Sequence, residues 1–360
     1  MRRFMILCGG FFGLLLGLWV TTPATEAARC FSENDVFDLV CNNQDVVQNY
    51  TTPLPFEDSF LPNRTYARIE DNANVYAEPS FGAEIRRNVG DGFLYSTLHG
   101  AVRRDGELWY IMNGGEYIHS SQVRVTEISE FQGMLVRERP QRPFGWVVAD
   151  FWPSWEPDGE PDQDYPKIRR YTFFEIYGVA QDDEGWLWYD IGEGRWMRQT
   201  FASIVEYNRR PEGVGEDEFW VEVDLYEQTL AAYEGDTMVF ATLVSSGLNR
   251  WPTREGLFQV FERVPERKMS GAEGRVDYYF VEDVPHSLYF DEKMGIALHG
   301  AYWHDRFGYK HSHGCVNMPP LDSEWLFKWS ENAPSALWVW VHTSSPTHYW
   351  ERRGTDIPGA

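Results

Sequence analysis

Four histidines and one cysteine lie within 21 residues, in the segment LHGAYWHDRFGYKHSHGCVNM (298–318). They are His299, His304, His311, His313 and Cys315. Imidazole and thiolate groups are zinc ligands, and a cysteine beside a histidine can also be an activated nucleophile. The segment therefore allows three interpretations: a metal site, a nucleophilic cysteine with its base, or a histidine-rich loop without chemistry.

The metal interpretation suits the residue types better than their spacing. If residues 311–315 are extended, His311, His313 and Cys315 share one face of a strand. Ligands two residues apart then splay along the strand instead of converging on one ion. The sequence holds no second cysteine pair and no HExxH motif to complete a usual site. We therefore expect no metal and no organic cofactor.

The nucleophile interpretation uses the same residues as a pair. A free thiol has a pKa of about 8.5 and needs a neighbouring imidazole to react at neutral pH. His299 ends the predicted strand GIALHG, and a turn at DRFG returns the chain, so we predict that His299 faces Cys315. Backbone N–H groups at Gly314 and Cys315 suit an oxyanion hole, and only glycine tolerates the tight turn before the thiol. Acyl transfer is the matching reaction, while an inert loop stays the alternative.

The pattern His-Gly, a spacer and then Ser-His-Gly-Cys-x-Asn resembles the signature of the L,D-transpeptidase catalytic domain family, which cross-links bacterial peptidoglycan. The resemblance covers roughly residues 220–342 and includes VDLYEQTLAAY (223–233) and PTREGLF (252–258). It implies a β-sandwich-like fold, with Cys315 as nucleophile and His299 as base. The carbonyl of Gly300 would orient the imidazole, and the Gly314 N–H would join the oxyanion hole.

The resemblance also implies a substrate pocket. We expect this pocket to be lined by four residues, Ser312, His313, Asn317 and Tyr302. His304 and His311 match no catalytic position and are expected to be loop or substrate-groove residues. The spacer from Gly300 to His311 is twelve residues, shorter than usual, which indicates a trimmed loop over the site.

The implied reaction is a two-step acyl transfer on peptidoglycan stem peptides. Cys315 attacks the carbonyl between the third stem residue and the terminal D-alanine, which leaves protonated by His299. The amine of a neighbouring stem then resolves the acyl-enzyme, giving a 3→3 cross-link. Water as the acceptor would make the protein an L,D-carboxypeptidase. A non-catalytic wall-binding protein is the rival from another class.

The surrounding elements are predicted to be mostly strands. Alternating apolar residues indicate three successive strands within 219–247 and further strands up to IALHG. One helix is predicted over PPLDSEWLFKWSENA (319–333), capped by Asp322 or Ser323, and ALWVWVH (336–342) closes the domain as a buried strand. We expect a catalytic domain at 217–343 with one or two helices.

An internal repeat precedes this domain. Residues 99–123 align without gaps on residues 178–202, so that Trp109 and Tyr110 fall on Trp188 and Tyr189. Short aromatic strands separated by Gly and Asp turns predict two small β-barrels, at 63–127 and 143–208. The first resembles the bacterial SH3-like domains appended to cell-wall enzymes. Binding of a wall ligand and a plain spacer role both stay open.

The N-terminus is typical of an export signal. Arg2 and Arg3 precede an uncharged apolar run (4–20) and small residues near 27–28, which predicts a signal peptide at 1–28. A retained membrane anchor is the alternative. The extension at 29–62 carries Cys30 and Cys41, which can form a disulfide outside the cytoplasm, and residues 344–360 form a tail. We expect the protein in the cell wall or envelope of a bacterium.

The net charge of −23 argues against partners that are themselves anionic. No basic cluster offsets it, so nucleic-acid binding is excluded. Membrane contact is expected only through the N-terminal signal or anchor. Peptidoglycan stem peptides are the expected partner.

Overall fold

The computed structural model describes residues 51–53, as backbone, and residues 64–344. The predicted signal peptide, the Cys30–Cys41 pair and the tail after residue 344 lie outside the described residues. The described chain is mostly β with one α-helix, which confirms the predicted fold class. Among these residues, no helix combines the length and the apolar character needed to span a bilayer.

The part of the chain before residue 217 consists of short strands. They are β1 (Thr51–Pro53), β2 (Thr65–Ile69), β3 (Asn74–Tyr76), β4 (Ile85–Asn88), β5 (Phe93–Leu98), β6 (Gly100–Arg104), β7 (Glu107–Ile111), β8 (Tyr117–His119), β9 (Val123–Val125), β10 (Met134–Val136), β11 (Phe144–Val147), β12 (Phe173–Glu175), β13 (Gly178–Gln181), β14 (Leu187–Asp190), β15 (Trp196–Arg198) and β16 (Ala202–Val205). Single 3₁₀ turns cover Asn113–Gly115, Ser120–Gln122 and Gln199–Phe201.

The C-terminal domain contains longer strands and the helix. They are β17 (Phe219–Asp224), β18 (Thr229–Glu234), β19 (Thr237–Leu243), β20 (Gly256–Gln259), β21 (Glu262–Gly271), β22 (Tyr279–Asp291), β23 (Ile296–Gly300), β24 (Val316–Met318), α1 (Pro320–Ser330) and β25 (Trp338–His342). The three strands expected after residue 218 are β17 to β19, and the segments YYFVEDV and HSLYF join in the single strand β22.

Strands of the first N-terminal part recur in the second. The elements β2, β5, β6, β7, β8 and β9 have counterparts in β11, β12, β13, β14, β15 and β16. In each copy the first, second and last of these strands form a sheet, β5-β2-β9 and β12-β11-β16. We call residues 63–127 the first unit and residues 143–208 the second unit. The structural repeat thus begins well before residue 99, which is where the alignment of the two sequence segments starts.

The C-terminal domain is a two-sheet sandwich. One sheet has the order β1-β10-β19-β18-β17-β25-β20, and the other has the order β24-β23-β22-β5-β2-β9, with β21 paired to β22. Buried apolar side chains from both sheets and from α1 fill the space between them, among them Val221, Leu230, Phe240, Leu288, Leu298, Val316, Leu326 and Val339. Because β5 pairs in parallel with β22, the first unit extends a sheet of the domain.

The helix begins earlier than predicted. Pro319 is its N-cap and Pro320 its first residue, so the expected cap at Asp322 or Ser323 is wrong. Proline fits the first helical position because its φ is already helical and its missing N–H is not needed there. The Asp322 carboxylate instead accepts the backbone N–H of Gly133 at 3.0 Å and the hydroxyl of Thr242. Burial raises the pKa of Asp322 to about 7.

Candidate active site

Two parallel strands carry the residues of the motif. β23 pairs with β24 in the register Leu298↔Val316, His299↔Asn317 and Gly300↔Met318. Cys315 directly precedes β24. Its thiol lies near the backbone N–H of Ala297 and 4.0 Å from the carbonyl oxygen of Gly295. The thiol therefore contacts β23 at Ala297, two residues before His299.

His299 is held in one orientation. The side chain is 1% exposed, and its Nδ1 lies 3.1 Å from the carbonyl oxygen of Gly300. A carbonyl only accepts, so Nδ1 carries the proton and Nε2 is left as the acceptor. Burial lowers the pKa of His299 to about 4. The imidazole is therefore neutral at pH 7, with the tautomer that a general base requires.

Cys315 is half-buried, and burial raises the pKa of its thiol to about 11, against a smaller lowering by the Ala297 N–H. With a neutral imidazole on β23, the free protein holds a neutral thiol and a neutral base. This distinguishes the site from one with a preformed thiolate–imidazolium pair.

The two pKa shifts predict how alkylation of Cys315 depends on pH. Only the thiolate reacts with iodoacetamide, and at a pKa of about 11 its fraction grows about tenfold per pH unit below that value. We expect the alkylation rate constant, measured by mass spectrometry of the Cys315 adduct, to rise steadily from pH 6 to pH 9. A plateau across this range would mean that a thiolate–imidazolium pair is present at rest.

Short hydrogen bonds organise the SHGC loop. The hydroxyl of Ser312 accepts the Gly314 N–H at 3.1 Å and donates to the carbonyl of Cys315. From the other side, the Thr253 hydroxyl donates to the Gly314 carbonyl at 2.7 Å and accepts the Gly247 N–H at 2.9 Å. Ser312 is buried and shapes this loop, so it does not line an open pocket as expected.

The bond to Ser312 also bears on the predicted oxyanion hole. In this conformation the Gly314 N–H is engaged within the loop and does not point freely at a substrate oxygen. A role for Gly314 would require that bond to open. The N–H of Cys315 itself is the other group that was predicted for the hole, and both roles stay predictions.

An aromatic surface surrounds the thiol. His313 is exposed, and its ring lies 3.8 Å from that of Trp251 and 5.4 Å from that of Tyr279. Burial, and then the charge of a Cys315 thiolate, raise the pKa of Tyr279, and the same charge acts on Tyr289. The sequence interpretation found His313 only. The ring of Trp251 and the rings of Tyr279 and Tyr289 on β22 lie far from the motif in the sequence, and no local spacing links them to it.

Asn317 and His304 form a buried pair. Asn317 is 2% exposed, and its side-chain amide lies 2.9 Å from Nε2 of His304. Nδ1 of His304 accepts the Arg306 N–H at 3.1 Å, so Nε2 carries the proton, and a hydrogen bond between the two side chains requires the Asn317 amide to be turned with its oxygen toward Nε2. Asn317 is thus buried in this structure and its pocket role stays a prediction, while His304 lies in the loop, one of the two positions expected for it. Packing made both residues internal.

His311 lies beside this pair. Its ring centroid is 4.2 Å from that of His304, and its backbone N–H donates to the carbonyl of Ser246 at 2.9 Å. Residues 311–315 bend instead of forming a strand, so the one-face arrangement considered for a metal does not form. Among residues 64–344, no group of three or more histidine, cysteine or acidic side chains is arranged to hold a metal ion.

Tyr302 is not a pocket residue, contrary to expectation. Its side chain is fully buried, and its hydroxyl donates to the Glu282 carbonyl at 2.6 Å. The ring stacks on Tyr66 of the first unit, with a centroid distance of 3.7 Å. Because the first unit extends the sheet at β5, this tyrosine is covered by the first unit and excluded from solvent.

The buried position of Tyr302 predicts that its replacement lowers the stability of the fold. We expect Tyr302→Ala to lower the free energy of unfolding by about 3–5 kcal/mol, and Tyr302→Phe by about 1 kcal/mol, because alanine removes the stacked ring and phenylalanine only the hydroxyl. Urea unfolding monitored by tryptophan fluorescence measures both. A normal unfolding curve for Tyr302→Ala combined with a raised KM would instead support a pocket role.

Comparison with known protein families identifies the C-terminal domain. Residues 218–351 match the model of YkuD, the L,D-transpeptidase catalytic domain. An L,D-transpeptidase catalytic domain is thus found at these residues, as the SHGC signature indicated. A comparison with curated proteins finds no match.

Solved L,D-transpeptidase structures are similar over part of the chain. An Enterococcus faecium enzyme with a cysteine replaced by serine is 23% identical (TM-score 0.32), over 39% of this chain and 55% of that one. A Stackebrandtia nassauensis enzyme is 27% identical (TM-score 0.29), over 39% and 60%. The E. faecium catalytic domain acylated by ertapenem is 25% identical (TM-score 0.31), over 36% and 99%. The chain therefore spans 55–60% of the first two structures.

Proposed function

From the L,D-transpeptidase catalytic domain at residues 218–351, we propose that this protein is a peptidoglycan L,D-transpeptidase with Cys315 as nucleophile and His299 as general base. One observation carries the proposal: the Nδ1–H of a buried, neutral His299 donates to the Gly300 carbonyl, beside the strand position that the Cys315 thiol contacts. This bond leaves Nε2 ready to accept a proton.

In the first step, sulfur attacks the carbonyl carbon between the third stem residue and D-alanine while Nε2 of His299 takes the thiol proton. The C–S bond forms as the carbonyl oxygen becomes an oxyanion, and in this proposal the Cys315 N–H stabilises it. The C–N bond then breaks, the imidazolium returns its proton to nitrogen, and D-alanine leaves. A neutral resting pair suits this concerted transfer.

In the second step, the amine of another stem attacks the thioester with His299 again as base. The new amide is a 3→3 cross-link, and the thiol is regenerated. The partly buried ring of Trp251 and the exposed ring of His313, next to Tyr279 and Tyr289, offer apolar faces for the stem peptide near the thiol. Water in place of the amine would give tripeptide, which is the second candidate function.

The products separate these functions. Incubation with disaccharide tetrapeptide should yield cross-linked dimers together with free D-alanine, measured by chromatography and mass spectrometry. Tripeptide and D-alanine without dimers would indicate an L,D-carboxypeptidase. If neither product appears and a carbapenem leaves no adduct on Cys315, the protein is a non-catalytic wall-binding protein and the proposal fails.

The remaining assignments are part of the same proposal. Residues 63–127 and 143–208 are SH3-like units, and their six shared strands support this reading. Residues 1–28 direct export, Cys30 and Cys41 in residues 29–62 can form a disulfide, and the enzyme acts outside the cytoplasm on the cell wall. Non-reducing mass spectrometry of the secreted protein tests the disulfide and the cleavage site together.

A further inference from the structure

The loop from His299 to the SHGC motif is held from outside the C-terminal domain. We call residues 301–311 the connecting loop, and Asp305 lies near its middle. The Asp305 carboxylate accepts the hydroxyls of Tyr171 at 2.7 Å and of Ser129 at 2.5 Å. Arg170 donates to its backbone carbonyl at 2.6 Å and lies 3.5 Å from its carboxylate. Tyr171 and Arg170 belong to the second unit.

Three further residues of the connecting loop, 307–309, also rest on the second unit. Phe307 is fully buried in an apolar cluster with Trp146 and Val148. Gly308 has a φ of +93°, and a Cβ there would lie 2.5 Å from a methyl of Val148, so only glycine fits. The Tyr309 hydroxyl donates to the Val148 carbonyl at 3.2 Å. The contact is therefore continuous from Asp305 to Tyr309.

On its other side, the connecting loop contacts the strands of the active site. His304, next to Asp305, hydrogen-bonds the Asn317 side chain at 2.9 Å. Asn317 lies two residues after Cys315 and opposite His299 in the register of β23 and β24. The Arg306 carbonyl accepts the Ser245 hydroxyl at 2.9 Å. A displacement of Asp305 would therefore reach Asn317, the residue of β24 that pairs with His299 on β23.

We propose that Asp305 is a positioning residue for acyl transfer, and that the second unit completes the active site by holding it. The inference rests on the proposed function, because it concerns the same Cys315–His299 pair. An acyl transfer needs its base and nucleophile aligned before the reaction, and small misplacements cost large factors in rate. Tyr171, Arg170 and Ser129 supply this alignment through the connecting loop.

The test measures acylation of Cys315 by ertapenem in the full-length protein, with the rate constant at saturation separated from the apparent Kd. We expect Asp305→Ala to lower the rate constant about 10- to 100-fold, with the Kd changed less than about twofold. Tyr171→Phe, which removes one hydroxyl and keeps the ring, should lower it about 3- to 10-fold. Asp305→Asn keeps both acceptor bonds in place and should restore most of the wild-type rate.

Asp183→Ala is the matched control, because Asp183 is exposed on the turn between β13 and β14 of the same second unit. It should acylate at the wild-type rate. Hydrogen exchange of residues 301–315 should rise in Asp305→Ala and Tyr171→Phe. If Asp305→Ala fails to fold, Tyr171→Phe carries the test alone.

Two failures are distinguishable. If the wild-type protein is not acylated at Cys315, the proposed function fails, and the inference fails with it. If the wild type is acylated and both Asp305→Ala and Tyr171→Phe react within twofold of it, the function stands and the positioning role is overturned. A higher Kd with an unchanged rate constant would also overturn it, since that result assigns Asp305 to substrate binding.

Discussion

Replacement of Cys315 by alanine is expected to abolish D-alanine release and the ertapenem adduct, with a loss in rate of about 10⁴-fold or more. Removing the nucleophile leaves no atom that can form the acyl-enzyme. The assay is D-alanine release from disaccharide tetrapeptide, together with the intact mass of the protein after ertapenem.

Cys315→Ser is the matched control for this result. It keeps the size of the side chain, and it leaves the loop bonds made by Ser312 and Thr253 in place. A hydroxyl is a much weaker nucleophile than a thiol, so release should also be nearly lost while thermal unfolding stays at the wild-type temperature. Undiminished release from Cys315→Ala would show that another group carries the chemistry.

Replacement of His299 by alanine is the second large effect. We expect acylation to fall about 10²- to 10⁴-fold at pH 7, because the thiol, with its pKa near 11, then has no base to take its proton. His304→Ala should fall much less, because that residue acts only by supporting Asn317. Stopped-flow acylation by ertapenem measures both variants.

Alkylation at high pH separates a missing base from a misfolded site. Above pH 10 the thiolate forms without help, so iodoacetamide should modify Cys315 in His299→Ala about as fast as in the wild type. Slow alkylation there would mean that the substitution had buried or moved the thiol. Equal acylation rates for His299→Ala and the wild type at pH 7 would refute the role of His299.

A thiol with a raised pKa has a further consequence in the extracytoplasmic location that we propose. Oxidants and disulfides react with the thiolate, so a cysteine that stays neutral at rest resists both. In the proposed reaction, the substrate is bound beside His299 and meets the nucleophile as the proton leaves. The same burial that makes Cys315 slow toward small reagents thus keeps it available for acyl transfer.

Several features of this protein followed from the sequence alone. The SHGC motif, its spacing from His299 and the alternation of apolar residues are local patterns, and they indicated the family and the mostly β fold. The bond from His299 to the Gly300 carbonyl is also local, because it joins neighbouring residues. Such features depend on the types and spacing of residues that lie close together in the chain, so they can be predicted from the sequence directly.

The environment of each side chain was decided by tertiary structure. Asn317 belongs to the motif and Tyr302 lies two residues after Gly300, yet Tyr302 packs on Tyr66 and Asn317 is buried against His304. Asp305 meets Tyr171 and Ser129 from 134 and 176 residues away. Burial and hydrogen bonds of this kind arise only when distant segments pack together. The packing therefore sets which polar residues are exposed at the site and which are buried in support of it.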